Sequence, residues 1–362
     1  MNKIKMLSLL AAAAMMTGSV AMAETYSATG NGYHGEMTVD VTIENGTITD
    51  VALGDNHETN VVIDRAFPVI RERILEANTA DVDSVSAATF SSYAIKTAVA
   101  DAMKQAGLEA PTVSMQNAEK PATERAAEEC DIVIVGGGPA GLAAAISAKQ
   151  TNADKNVILV EKLDILSGNG KFDMNFFDMI NTEAQKAAGN DEWVGEAGLA
   201  KFIEEKSANG ESAERIQVWA NEEYGIDAWL RAMGVELNYN YGGTNHMAED
   251  NQYSGEVIQA GLEKAAAELG VDVRTGTKGM DLVMEDGVCK GVVVTNNANE
   301  TYTINAKSTI IATGGFCSNK ELLAEYAPGY EVFNTSNQMG TTGDFVKVFE
   351  QNGFKMENMG KM

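Results

Sequence analysis

The sequence predicts an α/β chain in two folded units, a small α+β unit followed by a larger one built on a strand, helix, strand crossover. Three observations carry this. Strand-type alternation around Asn45-Gly46 is followed by two helix-period runs, the second stopped by Gly107 and Pro111. The stretch 111–129, PTVSMQNAEKPATERAAEE, is polar and poorly periodic, with Pro121 inside it, and reads as a linker. Beyond it an apolar run, Ile132 to Val135, breaks into a glycine turn, opens a helix of small residues and leads to a second apolar run, VILVEK.

Composition narrows the chemistry. The 362 residues are 44% hydrophobic, enough for two or more packed units. Residues 1–23 have Lys3 and Lys5, an apolar stretch and Ala21-Met22-Ala23, the three-part layout of a secretory signal peptide, with an uncleaved anchor as the alternative. Its removal takes away two lysines and no acid, moving the formal charge from −25 to −27. So acidic a surface repels phosphate backbones and anionic lipid heads, which argues against nucleic-acid and membrane-surface partners. Cys130, Cys289 and Cys317 are odd in number and far apart, and no CxxC or CxxCH is present. A disulfide framework, in-chain iron-sulfur clusters and c-type haem are thereby excluded. His34, His57 and His246 lack metal-ligand spacing, so no metal site is expected.

The first unit, 24–110, begins with TGNGYHGEMTVDVTIENGTITDVAL, a β-hairpin turning at Asn45-Gly46. Helices are expected in RAFPVIRERILEAN and in SSYAIKTAVADAMKQAG, the second starting near Ser91 or Ser92. Ahead of it stands DSVSAATFSS, 83–92, whose hydroxyls suit a helix N-terminus and whose small side chains leave room for a ligand.

The second unit, 130–362, carries Gly136, Gly138 and Gly141 in GxGxxG spacing, with Ala140 inside the turn. Glycine there permits a tight turn and close backbone approach to a pyrophosphate, which then lies at a helix N-terminus. Glu161, twenty residues beyond Gly141 and at the end of the second apolar run, is placed to accept ribose hydroxyls. A glycine turn without ligand is the bland alternative. NAD and FAD share this fingerprint, so these residues leave the choice open.

Two later stretches bear on it. STIIATGGFCSN runs an apolar strand into Thr313-Gly314-Gly315, and NTSNQMGTTGDF is a glycine-rich loop carrying Asp344. With these, the chain from Asp131 onward resembles the fumarate reductase and succinate dehydrogenase flavoproteins, chiefly soluble secreted members such as flavocytochrome c fumarate reductase and urocanate reductase. The resemblance implies a Rossmann-like FAD-binding domain with non-covalent FAD. It places Glu161, Lys162, Asn169, Gly170, Lys171, Met174, Asn175, Gly279, Thr313, Gly314, Gly315 and Asp344 on flavin-contacting positions. Two departures stand out: the stretch between Lys171 and Met174 is shorter than the family's glycine-rich turn, and Phe345 replaces the glycine that usually follows the aspartate. Residues 195–236 read as amphipathic helix, preceding a Gly242-Gly243 turn. His246 lies near a family histidine in an altered context and reads as structural.

The first unit resembles the FMN-binding domain that often precedes these flavoproteins, through TGNGYHGEM, HET and DSVSAATFSS. The resemblance implies a covalent FMN, joined as a phosphoester to Thr89 by a flavin transferase, with Ala87 standing where the family has glycine. The competing reading is that Thr89, Ser91 or Ser92 only caps the helix.

Together these imply an exported oxidoreductase, periplasmic or at the cell surface, in which FMN takes electrons from a membrane donor and FAD reduces the C=C bond of a small unsaturated carboxylate. The family's catalytic residues and capping domain are expected beyond Met362, which suggests the N-terminal part of a longer reductase. An electron or flavin carrier without a substrate reaction, or a related dehydrogenase running toward desaturation, are the alternatives.

Overall fold

The structure, a computed structural model, describes residues 23–166, 168–171, 175–208, 212–249 and 252–361. The expected signal peptide, apart from Ala23, and Met174 lie outside them.

The first unit is a three-stranded antiparallel meander, β1 (Glu24–Asn31), β2 (Glu36–Glu44) and β3 (Thr47–Leu53), covered on one face by α1 (Asn60–Ala77) and α2 (Thr89–Gln105). Along β2 every second residue is buried, so Met37, Val39, Val41 and Ile43 face the helices. Asn45 and Gly46 close the hairpin with φ of 51° and 78°, the left-handed pair that a two-residue turn between twisted strands needs. The helix α2 lies so close to β1 that a Cβ on Gly30 would fall 2.1 Å from the Ala94 carbonyl oxygen. Small residues at Ala94, Ala98 and Ala102 make that approach possible.

In the second unit, in chain order, come β4 (Thr123–Glu124), β5 (Glu128–Val135), α3 (Pro139–Thr151), β6 (Val157–Val160), β7 (Phe177–Asp178) and α4 (Glu183–Ala188). Then follow α5 (Gly195–Ser207), α6 (Ala213–Ala232), β8 (Tyr239–Gly242), β9 (Asn245–Met247), α7 (Ser254–Glu268) and β10 (Asp272–Arg274). The last elements are β11 (Thr277–Glu285), β12 (Val288–Asn296), β13 (Glu300–Ile311), α8 (Lys320–Tyr326) and α9 (Asp344–Gln351). The main sheet has the order β10-β6-β5-β13-β12-β11. Its first four strands run parallel, and β12 and β11 are added antiparallel. All four residues of β6 are buried, as expected of a strand covered on both faces. This is the Rossmann-like α/β architecture. Two strands flank β5 in opposite directions of the chain's progress, and the crevice beyond their carboxyl ends is where such sheets bind ligands.

A small side lobe holds β7-β9-β8 with α4, α5 and α6 around Trp193 and Phe202. The helices expected across 195–236 are α5 and α6.

Two details differ from expectation. The polar stretch 111–129 is tied to the body of the protein rather than running free. Thr123 and Glu124 pair with β13, Glu128 already belongs to β5, and the Asn117 side chain accepts the Ser84 N–H at 2.8 Å. Backbone groups there had to find partners, and the edge of β13 supplied some of them. The helix α2 starts at Thr89, ahead of Ser91 and Ser92. Those two hydroxyls are engaged elsewhere: Ser92 Oγ accepts the Val85 N–H at 3.0 Å, and Ser91 Oγ donates to Glu58.

Candidate functional site

Each unit forms a cleft against a helix N-terminus. In the larger, β5 ends at Val135 and the chain turns through Gly136, at φ 115°, into α3. Three glycines do separate jobs. A Cβ on Gly136 would sit 2.4 Å from the Ala312 carbonyl oxygen, and one on Gly141 would sit 1.8 Å from the Gly136 carbonyl oxygen, so both are closed to larger residues. Gly138 is the N-cap of α3 and supplies no side-chain cap. Among the described residues no acceptor meets the N–H groups of Gly138, Ala140 and Gly141, so the helix presents free donors and its positive end to the cleft.

Glu161 follows β6, and its carboxylate accepts the Gly137 N–H at 2.7 Å and the Leu163 N–H at 2.9 Å. It is 8% exposed and lines the cleft, with lone pairs left over for further donors. Lys162 crosses to the opposite wall, donating to Thr342 Oγ1 at 2.7 Å and to Asp344 Oδ2 at 2.6 Å. Lys278 reaches the other Asp344 oxygen at 3.1 Å. Burial pushes the Asp344 carboxyl up, but the two ammonium groups outweigh it and hold it below the usual carboxylate range. Asn169, in a short 3-10 turn, accepts the Gln338 N–H at 2.8 Å and so joins the turn after β6 to the glycine-rich loop before α9.

Of the positions expected to contact FAD, Gly136, Gly138, Ala140, Glu161, Lys162, Asn169, Gly279, Thr313, Gly314 and Asp344 line this cleft. Gly141 is buried behind Gly136, and Gly170 packs beside Pro139, where a Cβ would be 2.5 Å from the ring. Gly315 and Asn175 are exposed outside the lining, and the Lys171 side chain is not among those described. Phe345, the departure from the family glycine, is 2% exposed and packs with Phe349. Its room comes from Gly279, where a Cβ would lie 2.9 Å from the Phe345 ring. Sequence reasoning missed Lys278, Gln338 and Thr341; the last two sit in the loop quoted for Asp344, and Lys278 stands beside Gly279.

The smaller cleft is lined by Tyr33, Glu58, Thr59, Val62 and 87–91. Thr89 is exposed at the first position of α2. The N-cap, Ala88, makes no side-chain cap bond, and among the described residues no acceptor meets the N–H groups of Thr89, Phe90 and Ser91. The capping reading of this run therefore lacks its hydrogen bond, while an anion on Thr89 would meet three donors. Tyr33 and Phe90, both exposed, stand 6.0 Å apart and offer aromatic faces beside it. Glu58, 7% exposed, is fixed by the His34 N–H at 2.9 Å and by Ser91. Ala87 has φ 71°, the left-handed region that explains glycine in the family.

His246 is fully buried, with Nδ1 2.8 Å from the Thr244 carbonyl oxygen and Nε2 2.8 Å from Thr182 Oγ1. Both ring nitrogens are satisfied, burial holds its pKa below the ordinary imidazole value, and it lines neither cleft. Among the described residues no helix is long and apolar enough to cross a membrane.

A parallel sheet ending in an uncapped glycine turn, with an acid after the next strand, defines a dinucleotide-binding protein. The family model of the FAD binding domain matches residues 131–362, and that of the FMN-binding domain matches 32–104. The chain therefore belongs to the FAD-binding domain family, of the fumarate reductase flavoprotein type, and carries an FMN-binding domain ahead of it. It is 31% identical to an NADH:fumarate oxidoreductase of Klebsiella pneumoniae, over 90% of this chain and 35% of that one. It is 32% identical to a urocanate reductase of Eggerthella lenta, over 93% of this chain and 57% of the relative. A solved flavocytochrome c3 fumarate reductase in its open conformation superposes with a TM-score of 0.57 at 31% identity, over 62% of this chain and 40% of that one. The chain thus spans between about a third and just over half of the length of these curated relatives.

Proposed function

We propose that this chain carries the two flavins of an exported oxidoreductase, with FMN held covalently as a phosphoester on Thr89 and FAD held non-covalently in the larger cleft. The observation that carries this is the pair of uncapped helix N-termini, at Gly138 and at Thr89, each in a domain matched to the corresponding flavin. In the FAD cleft the donors of Gly138 and Ala140 suit a pyrophosphate, Gly141 behind them keeps the turn tight, and Glu161 suits ribose hydroxyls. Lys162, Asn169, Gly279, Thr313, Gly314 and Asp344 suit the remainder, with Gly170, Gly315, Lys171, Met174 and Asn175 carried by the family resemblance.

The bound flavins supply hydride and electron transfer. Electrons enter from a membrane donor at the first unit and leave through the second to the C=C bond of a small unsaturated carboxylate, of the fumarate or urocanate kind. A second reading, an electron carrier without a substrate reaction, makes the opposite prediction for substrate-dependent reoxidation.

The test is a peptide mass spectrum of the protein made together with a flavin transferase. The peptide containing Thr89 is expected to carry an FMN-sized addition that Thr89→Ala abolishes, while FAD is released by denaturation. An unmodified peptide sinks the two-flavin reading. Reoxidation of the reduced, flavin-loaded protein by a panel of enoates then separates the reductase from the carrier.

A further inference from the structure

We propose that Asp164, a side chain of the second unit, docks the loop that presents Thr89 and so fixes where a group carried there stands relative to the larger cleft. The docking rests on geometry alone; its consequence for electron transfer rests on the two-flavin reading above.

Asp164 lies in the turn after β6 and is 6% exposed, at the contact between the two units. Its Oδ1 accepts from Arg73 Nη2 at 2.7 Å and from Asn297 Nδ2, and its Oδ2 accepts the Ser86 N–H at 2.6 Å. Arg73 is committed to the same loop, since its Nη1 donates to the carbonyls of Asp83 and Ser84 at 3.1 and 3.2 Å. One carboxylate thus closes, directly or through one guanidinium, on three residues of DSVSAATFSS. The next residue, Ile165, is 4% exposed and belongs to the hydrophobic core of the first unit. Lys120 completes the rim, pairing with Asp83 at 2.6 Å and donating to the Asn297 carbonyl at 2.8 Å.

A buried carboxylate is costly unless several donors converge on it, and an apolar contact would have sealed the interface without that cost. What the carboxylate adds is direction. Ser86 is three residues before Thr89, while Leu163, adjoining Asp164, lines the larger cleft and donates its N–H to Glu161. Short, hydrogen-bonded links therefore run from one cleft to the other. In the two-flavin reading, two electrons pass from reduced FMN, which is re-oxidised, to FAD, which is reduced. Electron tunnelling falls steeply with separation, so a loop loosened by ångströms slows that step. Asp164 touches neither flavin site's interior and acts as a positioning residue.

The test uses the full chain with Asp164→Asn and, as a second variant should the first fold poorly, Arg73→Met. The first readout needs no flavin: hydrogen exchange at the Ser86 amide is expected to accelerate about ten-fold or more, the loss of a charge-assisted hydrogen bond, while core amides such as Val41 and Ile134 keep their protection. Wild-type exchange at Ser86 in the folded variants overturns the docking. In flavin-loaded protein, transfer from FMN to FAD after a reductant pulse is expected to slow by about ten-fold, with both flavins retained. An unchanged transfer rate with Ser86 unprotected overturns the consequence. A wild type that carries no flavin on Thr89 defeats the two-flavin reading, and the Ser86 measurement still decides the docking.

Discussion

At the residue scale, the most informative position is Ala87. A non-glycine residue at φ 71° is held in a conformation that costs about 1 kcal/mol or more, because its Cβ crowds the backbone. The cost is sustained because the loop is fixed on both sides, by Ser86 on Asp164 and by the Ala88 N–H on the Val85 carbonyl. Ala87→Gly is expected to stabilise the protein by up to about 1 kcal/mol, offset in part by the greater freedom of glycine in the unfolded chain. Urea unfolding of the two proteins checks it, and a destabilised glycine variant would show that the strain is relieved elsewhere. The glycines of the larger cleft are the opposite case. At Gly136 and Gly141 the obstacle is backbone, which cannot rotate aside as a side chain can.

At the element scale, α6 holds a carboxylate that works against the fold. Glu223 is buried among Trp219, Asp178 and Lys206, and among the described residues its Oε1 has no hydrogen-bond partner. Burial pushes its pKa up to about 7 from 4.5; Trp219 and Lys206 oppose the rise and Asp178 adds to it. The folded protein therefore binds this proton more tightly than the unfolded chain. Stability from this group is full below the ordinary carboxylate range and is lost as pH rises toward 7 and beyond. Glu223→Gln is expected to match the wild type near pH 4 and to be more stable by about 1–3 kcal/mol near pH 8. Thermal unfolding at the two pH values reads the difference, and equal gains at both would refute the assignment. The same scale shows why α2 was misplaced by two residues in the sequence reading: Ser91 and Ser92 look like caps, but their partners, Glu58 and Val85, lie outside the helix.

At the scale of the whole molecule, the contact between units is held by charge as much as by apolar packing. Arg73–Asp164, Lys120–Asp83 and Arg65–Glu263 cross or border it. Burial pushes the Asp164 carboxyl up, yet the Ser86 N–H and Arg73 hold it below the usual aspartate range. Its contribution is therefore present above that range, ~4, and is lost only as pH falls below it. The units are expected to stay docked from neutral pH down to about pH 4 and to separate below it, with 111–122 becoming a protease-sensitive link. Scattering and limited proteolysis across that range check this; separation already near pH 6 would place the control elsewhere.

The period of the sequence by itself determined the two units, the Asn45-Gly46 hairpin, the strand, glycine turn and helix around Gly136, and the acid at Glu161. These are local: alternation, turn residues and glycine spacing act over a few neighbours, so they can be read from a few neighbours. Only the tertiary structure decided that Lys162 and Lys278 meet at Asp344, that Gly279 makes room for Phe345, that His246 is a satisfied buried residue, and that Asp164 grips Ser86 across the two units. Each of these joins residues far apart in the chain. Their chemistry depends on distances that only packing sets, and no spacing along the sequence encodes them.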